Sequence, residues 1–564
     1  MKRIIKITGF VLLIAIGAVS CQKFLTIVPQ DQQVLETYYT SEEAVNNNTA
    51  SLYTAFIWQP FHMFFMWLAG DLMSGDMFYT FDQEGQFYYM TFNGGNKHLT
   101  DGWNGLYNVI SFCNGVINGM PPAARGNGVS EEVITRGVAE ARCIRAIAYY
   151  YLAEYWGDVP IIEDNNMSSG DIVRHYQSDV YEFMRREFEY AKDALPLTPY
   201  QPGRCTKWTA KSWLAKLHLT MASHLDDANS ADNFAKAKAY AEDVINNSGL
   251  SLYPDFGDLF YPLSNNNPES IFAIQCTSNG YGYGSMRNVH HSRNALVTLG
   301  LAYGPGKGPT LSLQEIFNET PNDLRRASTF MRNGDHFGNL GGGGYDYANY
   351  SDDEKTETPN EMLAHVRKYI IGGNQDCDGL SGNADQDAGG NLYLLRLADV
   401  YLCYVEACIG EGTSTSDALA LDVFGRVQNR AGLTFSGFEI TYTDLIKERR
   451  KEFAFESNNI FDIKRMFYRN QTQAINYLNG MERHRQYYNS TNWTPADCNA
   501  TGIYHGGFAV VDPEDDPDGK GSYFWYNTNI SPVTFTPDLM TLKIPTETVV
   551  KTPRIMEDPQ HYNF

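Results

Sequence analysis

Residues 139–160, AEARCIRAIAYYYLAEYWGDVP, limit what this chain can fold into more than any other stretch. Ala141, Ile144, Ala148, Leu152 and Tyr155 recur along one face of a helix, the pattern of an element with a buried stripe. Small alanines among bulky tyrosines let a neighbouring helix approach closely. Gly157 and Pro160 stop the helix, because glycine favours the C-terminal turn and proline cannot continue it. Arg142 and Arg145, one turn apart, are placed to meet carboxylates on a neighbouring element.

The N-terminus reads as a processing signal over residues 1–20. Lys2, Arg3 and Lys6 precede an apolar run from Ile7 to Val19, shorter than the ~20 residues a membrane-spanning helix needs. Gly17-Ala18-Val19-Ser20-Cys21 reads as a lipobox, with Cys21 the acylated residue and residues 21–36 the anchor and tether. No later segment approaches a membrane span, so the lipid is the expected anchor. Loss of the signal takes the formal charge from −22 to −25, which excludes nucleic acid and anionic lipid as natural partners. Apart from Cys21 there are eight cysteines with no CxxC pair, which reads as buried free thiols rather than a zinc site.

The rest is mainly helical by pattern. A helix is expected from Ser41 to about Phe56. A second is capped by Thr100 and Asp101, and the 139–160 helix begins behind Ser130. Further helices are expected near 178–195, 206–224, 231–247, 393–410, 416–431 and 441–469. Residues 60–100, 251–392 and 470–540 read as long, ordered, irregular excursions rich in aromatics, glycine and asparagine, where binding sites tend to sit.

Glu140, Ala141, Arg142, Arg145, Ala146, Tyr149, Leu152 and Gly157-Asp158-Val159-Pro160 follow one another as in a known signature helix. Four more segments keep the same order: Thr206–Leu217, Leu394–Tyr401 with Glu406-Ala407, Glu448–Glu456 with Phe461–Arg465, and Leu542-Ile544-Pro545 with Glu547. Together these closely resemble the SusD/RagB family of outer-membrane nutrient-binding lipoproteins. The resemblance implies an all-α scaffold of tetratricopeptide-like helical hairpins with long loop insertions. It divides into an N-terminal helical region over 37–250 and a C-terminal region over 251–564. It also implies an oligosaccharide ligand, or a peptide as the alternative cargo, and a SusC-like TonB-dependent transporter as partner. Three departures stand out: Gln22 and Lys23 replace the acids that follow the lipidated Cys in the family, which weakens the case for display on the outer face, Ser457 replaces a glycine, and Asn459 replaces an arginine whose buried ion pair would be missing.

Catalytic motifs are missing: no HExxH, GxSxG, Walker A or GxGxxG is present. Glu448, Glu452 and Glu456 share a helix face and tempt a glycosidase reading, but alternating charges through 447–452 favour intrahelical pairing and inter-helix bridges. No cofactor is expected beyond calcium, for which Asp376, Asp378, Asp385 and Asp387 form the better acidic loop and residues 512–518 a second. His290 and His291 read as a solvated loop pair.

Sugar recognition is the remaining chemistry, since pyranose rings stack on aromatic faces while amides and arginine satisfy hydroxyls. The 86–96 loop offers Phe92, Asn93 and Asn96. By the resemblance, an aromatic eleven residues before the helix Trp falls at Phe92, and a binding Asn falls at Asn96. A second loop offers Tyr281 and Tyr283 between glycines, followed by Arg287.

Overall fold

The computed structural model describes residues 38–278, 280–332, 334–347, 364–373, 386–483 and 533–564, with the backbone of 503–505 and 525–527. The signal, Cys21, the tether, Asp376, Asp378, Asp385 and the 512–518 acids lie outside the described residues.

The signature stretch forms the C-terminal part of a helix, Glu131–Trp156, that the fold is built around. Its end is set as the sequence implies, with Gly157 at φ +71. Burial goes beyond one stripe: from Ala139 to Trp156 every residue except Arg142 is buried. Charges enclosed this way must be paired or neutralised: two are paired, and burial raises the Glu154 pKa. Arg145 meets Glu187 at 2.7 Å, Glu140 meets Arg204 at 2.7 Å, and Glu154 accepts from the Tyr181 hydroxyl at 2.6 Å. Helix Gln177–Ala194 runs antiparallel to it, pairing Tyr181 with Glu154 at one end and Glu187 with Arg142 at the other. Helices Lys207–Ala222 and Ser230–Asn247 are antiparallel in the same way, through Ser230 to Ala222 and Lys211 to Asp243. Leu397–Ile409 and Ala418–Arg430 follow suit, through Tyr404 to Asp417 and Tyr401 to Arg426. The fold is mostly helical, and a continuous core runs from Tyr39 to Ile555.

Three expectations change. Residues 60–100 are largely helical: Ala55–Pro60 leads into two wide i→i+5 turns, Phe61–Phe65 and Leu68–Leu72, and then Asp82–Tyr89. Aromatic and methionine side chains hold these turns from inside, so their glycines do not signal loop. The helix expected near 393–410 starts as a buried strand, Leu392–Arg396, antiparallel to Ser270–Ile274, and turns helical at Leu397. The helix expected at 441–469 is two, Tyr442–Phe453 and Asn459–Arg469. Between them Phe455 and Ser457 both take φ +62. Ser457 lies so close to Gly70 that a Cβ there would fall 2.2 Å from its own Cβ. The Asp71 carboxylate accepts from the Ser457 amide at 2.8 Å and its hydroxyl at 3.0 Å.

The glutamates of the 448–456 stretch sit in a buried network that ties separate elements together. Arg396 reaches Glu269 at 2.7 Å, Glu452 at 2.5 Å and Glu456 at 2.8 Å, while Arg325 reaches Glu448 at 2.6 Å and Glu452 at 2.9 Å. The expected intrahelical pairing is minor among the described residues, with Lys451 3.8 Å from Glu448. Asn459, where the family has arginine, donates to Asp76 at 3.1 Å, and Arg450 supplies the cation at 2.7 Å. The C-terminal tail returns to the first third of the chain. The Leu542 amide donates to Tyr155 O at 2.8 Å, the Thr546 amide to Gly94 O at 2.7 Å, and the Trp156 indole to Lys543 O at 3.1 Å.

Candidate functional site: an exposed aromatic face

The loop after strand Ser270–Ile274 carries Tyr281 and Tyr283 on the surface. The Tyr283 amide donates to Gly280 O at 3.1 Å, the Thr277 amide donates to Tyr283 O at 2.9 Å, and Gly282 takes φ +92. A Cβ at Gly284 would fall 2.2 Å from the Asp387 backbone, so only glycine allows this approach. The Asp387 carboxylate accepts from the Gly280 amide at 2.8 Å. Asp387 therefore has a structural task here, clamping the tyrosine loop.

Held this way, Tyr283 stacks on Phe56 with ring centroids 5.2 Å apart and planes at 15°. Tyr281 is 61% exposed, and its hydroxyl reaches the Met63 sulfur at 3.8 Å. The next residue, Phe64, contacts His98 at 4.7 Å and His290 at 4.6 Å, and His290 contacts the exposed Tyr303 at 5.7 Å. Lys307 donates to Tyr303 O at 3.1 Å and lies 4.3 Å over the Tyr79 ring. Two residues beyond Tyr79, Phe81 is 71% exposed. A chain of contacts thus runs from Phe56 and Tyr283 through Tyr281, Met63, Phe64 and the buried His290 to Tyr303.

Beneath this face burial shifts the titratable groups toward their neutral forms. Burial lowers His98 to about 4 and His290 to about 3, with Lys97 and Lys307 adding to the respective effects. Burial also lowers Lys307 to about 8, partly offset by Glu84. His290 and His291 are thus internal, in a short helix Arg287–His291 packed against Phe64 and Trp67, and not a solvated pair. Near neutral pH the two imidazoles are uncharged, while Lys307, lowered only to about 8, keeps its charge buried against the Tyr79 ring and the Tyr303 carbonyl. The exposed part of the face thus offers mainly stacking planes, which suits an uncharged polyhydroxylated ligand better than an ion.

The other candidate residues take different places. Phe92 is half-buried and stacks on Phe87 at 5.0 Å, against the core. Asn96 is buried at the start of helix Lys97–Asn114, where its side chain accepts from the His98 and Leu99 amides. It is the N-cap there, in place of Thr100 and Asp101, because an Asn side chain satisfies amides two and three residues on. Asn93 is exposed and accepts from the Gly95 amide at 2.8 Å. Arg287 is internal, donating to Phe455 O at 2.5 Å and Ser457 Oγ at 2.7 Å. The structure thus brings Tyr281 and Tyr283 together at the surface and turns Asn96 and Arg287 inward. Phe56, Phe81 and Tyr303 escaped the sequence reading. Tyr303 had a signal, an aromatic held between Gly300 and Gly304-Pro305.

Comparison with known proteins places this architecture. Residues 23–219 match a family model described as starch-binding associating with outer membrane, and residues 268–506 match the SusD family model. A SusD-like protein of Bacteroides ovatus is 33% identical over 473 residues, 83% of each chain. SusD-like protein P2 of Formosa agariphila is 26% identical over 498 residues, 84% of this chain and 92% of that one. The chain belongs to the SusD family. A crystal structure with xylogluco-oligosaccharide superposes with a TM-score of 0.79 at 27% identity, covering 92% of this chain and 99% of that one. A laminarin binding SusD-like protein shares the fold at 19% identity, with a TM-score of 0.64 over 93% of this chain and all of that one.

Proposed function

We propose that this protein captures oligosaccharides on the aromatic face around Tyr281, Tyr283 and Phe56 and passes them to a SusC-like TonB-dependent transporter. The observation that carries the reading is the Phe56–Tyr283 stack, two large rings left half exposed, one on a helix and one on a braced loop. Exposed apolar side chains gathered together mark contact sites more than scattered ones do. Membership of the SusD family supports the reading, and so does the relative solved with a xylogluco-oligosaccharide. Neutral plant-type oligosaccharides are the first ligands to try.

The anchor in this reading is a lipid on Cys21, which holds the protein at the outer membrane. Among the described residues no helix is long and apolar enough to cross a membrane. Calcium at Asp376, Asp378, Asp385 and Asp387 belongs to the same proposal as a structural ion, and a rise in melting temperature with calcium over chelator would support it. Titration calorimetry with xylogluco-oligosaccharides tests the main reading. The expected Kd is roughly micromolar to millimolar, since few stacking faces offset the desolvation of many hydroxyls. Binding of peptides and of no glycan would replace sugar with the family's other cargo.

A further inference from the structure

Away from the aromatic face, a cleft of about 310 Å³ opens between helix Lys97–Asn114, the segment after Pro160 and the C-terminal residues 548–555. It shares no lining residue with the patch around Tyr281 and Tyr283. Its volume sits at the lower end of the roughly 300–1,000 Å³ of small-molecule sites, room for one ring rather than a chain.

Trp103, Tyr107 and Ile110 line its apolar side, and Asn104, Thr548 and Thr552 supply polar groups. The Tyr107 ring is fixed, because its hydroxyl donates to Pro160 O at 2.8 Å and its face meets Trp103 at 5.0 Å. Trp103 is in turn wedged against Trp156 at 5.3 Å. The charged groups at the rim are already engaged: Lys551 pairs with Glu547, and Asp164 accepts from Asn166 at 2.9 Å. The other polar groups of the lining, among them Asn104, Thr548 and Thr552, are neutral.

Two of the polar groups that line the cleft have no partner in the described part of the protein. Trp103 is 3% exposed and Thr552 is 7% exposed. Neither the Trp103 indole N–H nor the Thr552 hydroxyl has a hydrogen-bond partner among the described residues. Both residues line the cleft, so the two groups are available to a ligand's hydroxyls. A fixed aromatic wall beside unpaired neutral donors and acceptors is the chemistry of a sugar ring, with its C–H face on one side and hydroxyls on the other.

We infer that this cleft is a second, separate binding site for a single neutral sugar unit, such as a terminal residue or branch, held by Trp103, Tyr107 and Thr552. It takes one ring where the exposed face would take a run of them, and it does not depend on that face being the oligosaccharide site.

The test is saturation-transfer NMR on the purified protein with methyl β-glucoside, methyl α-xyloside and methyl β-galactoside, and with cyclohexanol as an apolar match in size. At least one glycoside should receive saturation, and the signal should persist in Tyr283→Ala. In Thr552→Val, which keeps the shape and removes one polar hydrogen, affinity should fall about threefold to tenfold, the worth of a hydrogen bond; Trp103→Phe, which also shortens the aromatic wall, should weaken binding at least as much. Melting temperatures of both variants check that the fold is intact, and Asn104→Ala at the open mouth gives a third readout that leaves the core untouched. Three results would overturn the inference: a signal abolished by Tyr283→Ala, cyclohexanol bound as well as any glycoside, or no transfer to any glycoside.

Discussion

The rings of Phe56 and Tyr283 lie parallel, 5.2 Å apart, although 227 positions of sequence numbering separate them. Phe56 comes from a helix fixed by Trp58 and Phe61 in the core, and Tyr283 from a loop that Asp387 clamps. A stack built from two rigid supports holds its shape before any ligand arrives, and pre-organisation lowers the cost of binding.

Removing either ring should therefore affect binding rather than folding. Phe56→Ala and Tyr283→Ala are each expected to weaken oligosaccharide binding by about 1 kcal/mol or more, with little change in melting temperature. Calorimetry beside a thermal melt separates the two effects, and unchanged affinity in both variants would move the site off this stack.

Phe92 gives the opposite expectation. It packs on Phe87 at the edge of the core, so Phe92→Ala should cost about 2 kcal/mol of stability, somewhat below the loss for a fully enclosed phenylalanine, and leave glycan affinity as it was. Chemical denaturation measures the first part and titration the second.

Glu452 is held by Arg325, Arg396 and Arg430 with no exposure of its own. Glu452→Gln leaves three guanidinium groups around a neutral amide, and the loss should be about 3–5 kcal/mol, as for other broken buried pairs. A variant with near wild-type stability would mean that the network is far wetter than its geometry implies.

Asp399 sets a pH dependence. Burial on its own would raise its pKa, but Lys216 and Arg449, each at 2.7 Å, outweigh burial and hold the carboxyl far below the usual range. A carboxyl lowered on folding adds stability that is present above about pH 4 and is lost as the pH falls through the lower folded value. Asp399→Asn should therefore melt well below wild type at neutral pH, and the gap should narrow in strong acid. Melts across the acid range would register the convergence.

Cys21 gives a prediction from sequence alone. Cys21→Ala should release the protein from the membrane fraction or stop its processing, and unchanged fractionation would remove the lipid anchor from the proposal.

How far the sequence carried can be judged element by element. The Glu131–Trp156 helix was legible because alanine, leucine and tyrosine fall on one stripe. Its burial on the remaining faces was not, because Glu140, Arg145 and Glu154 look like a solvated side until their partners arrive from elements far along the chain. The break at 454–458 was hidden for a similar reason: the positive φ of Ser457 is imposed by Gly70 and Asp71, nearly 400 positions away. At the site, the glycines around Tyr281 and Tyr283 announced a loop with exposed rings. Asn96 misled because the side chain that hydrogen-bonds a sugar equally well caps a helix, and backbone amides two residues on are the nearer partner. Phe56 carries no local mark at all, since only the return of the 280 loop makes it half of a stack.

The tail that hydrogen-bonds to Tyr155 and Gly94 bears on the timing of folding. Ribosome and translocation pore deliver a chain from its N-terminus, yet the end of the central helix is completed by residues 542–546. The end of that helix is therefore completed only after nearly the whole length has emerged, as long-range closures are. For a chain whose first 20 residues read as an export signal, that delay is useful: a segment unable to settle early stays thin enough to thread.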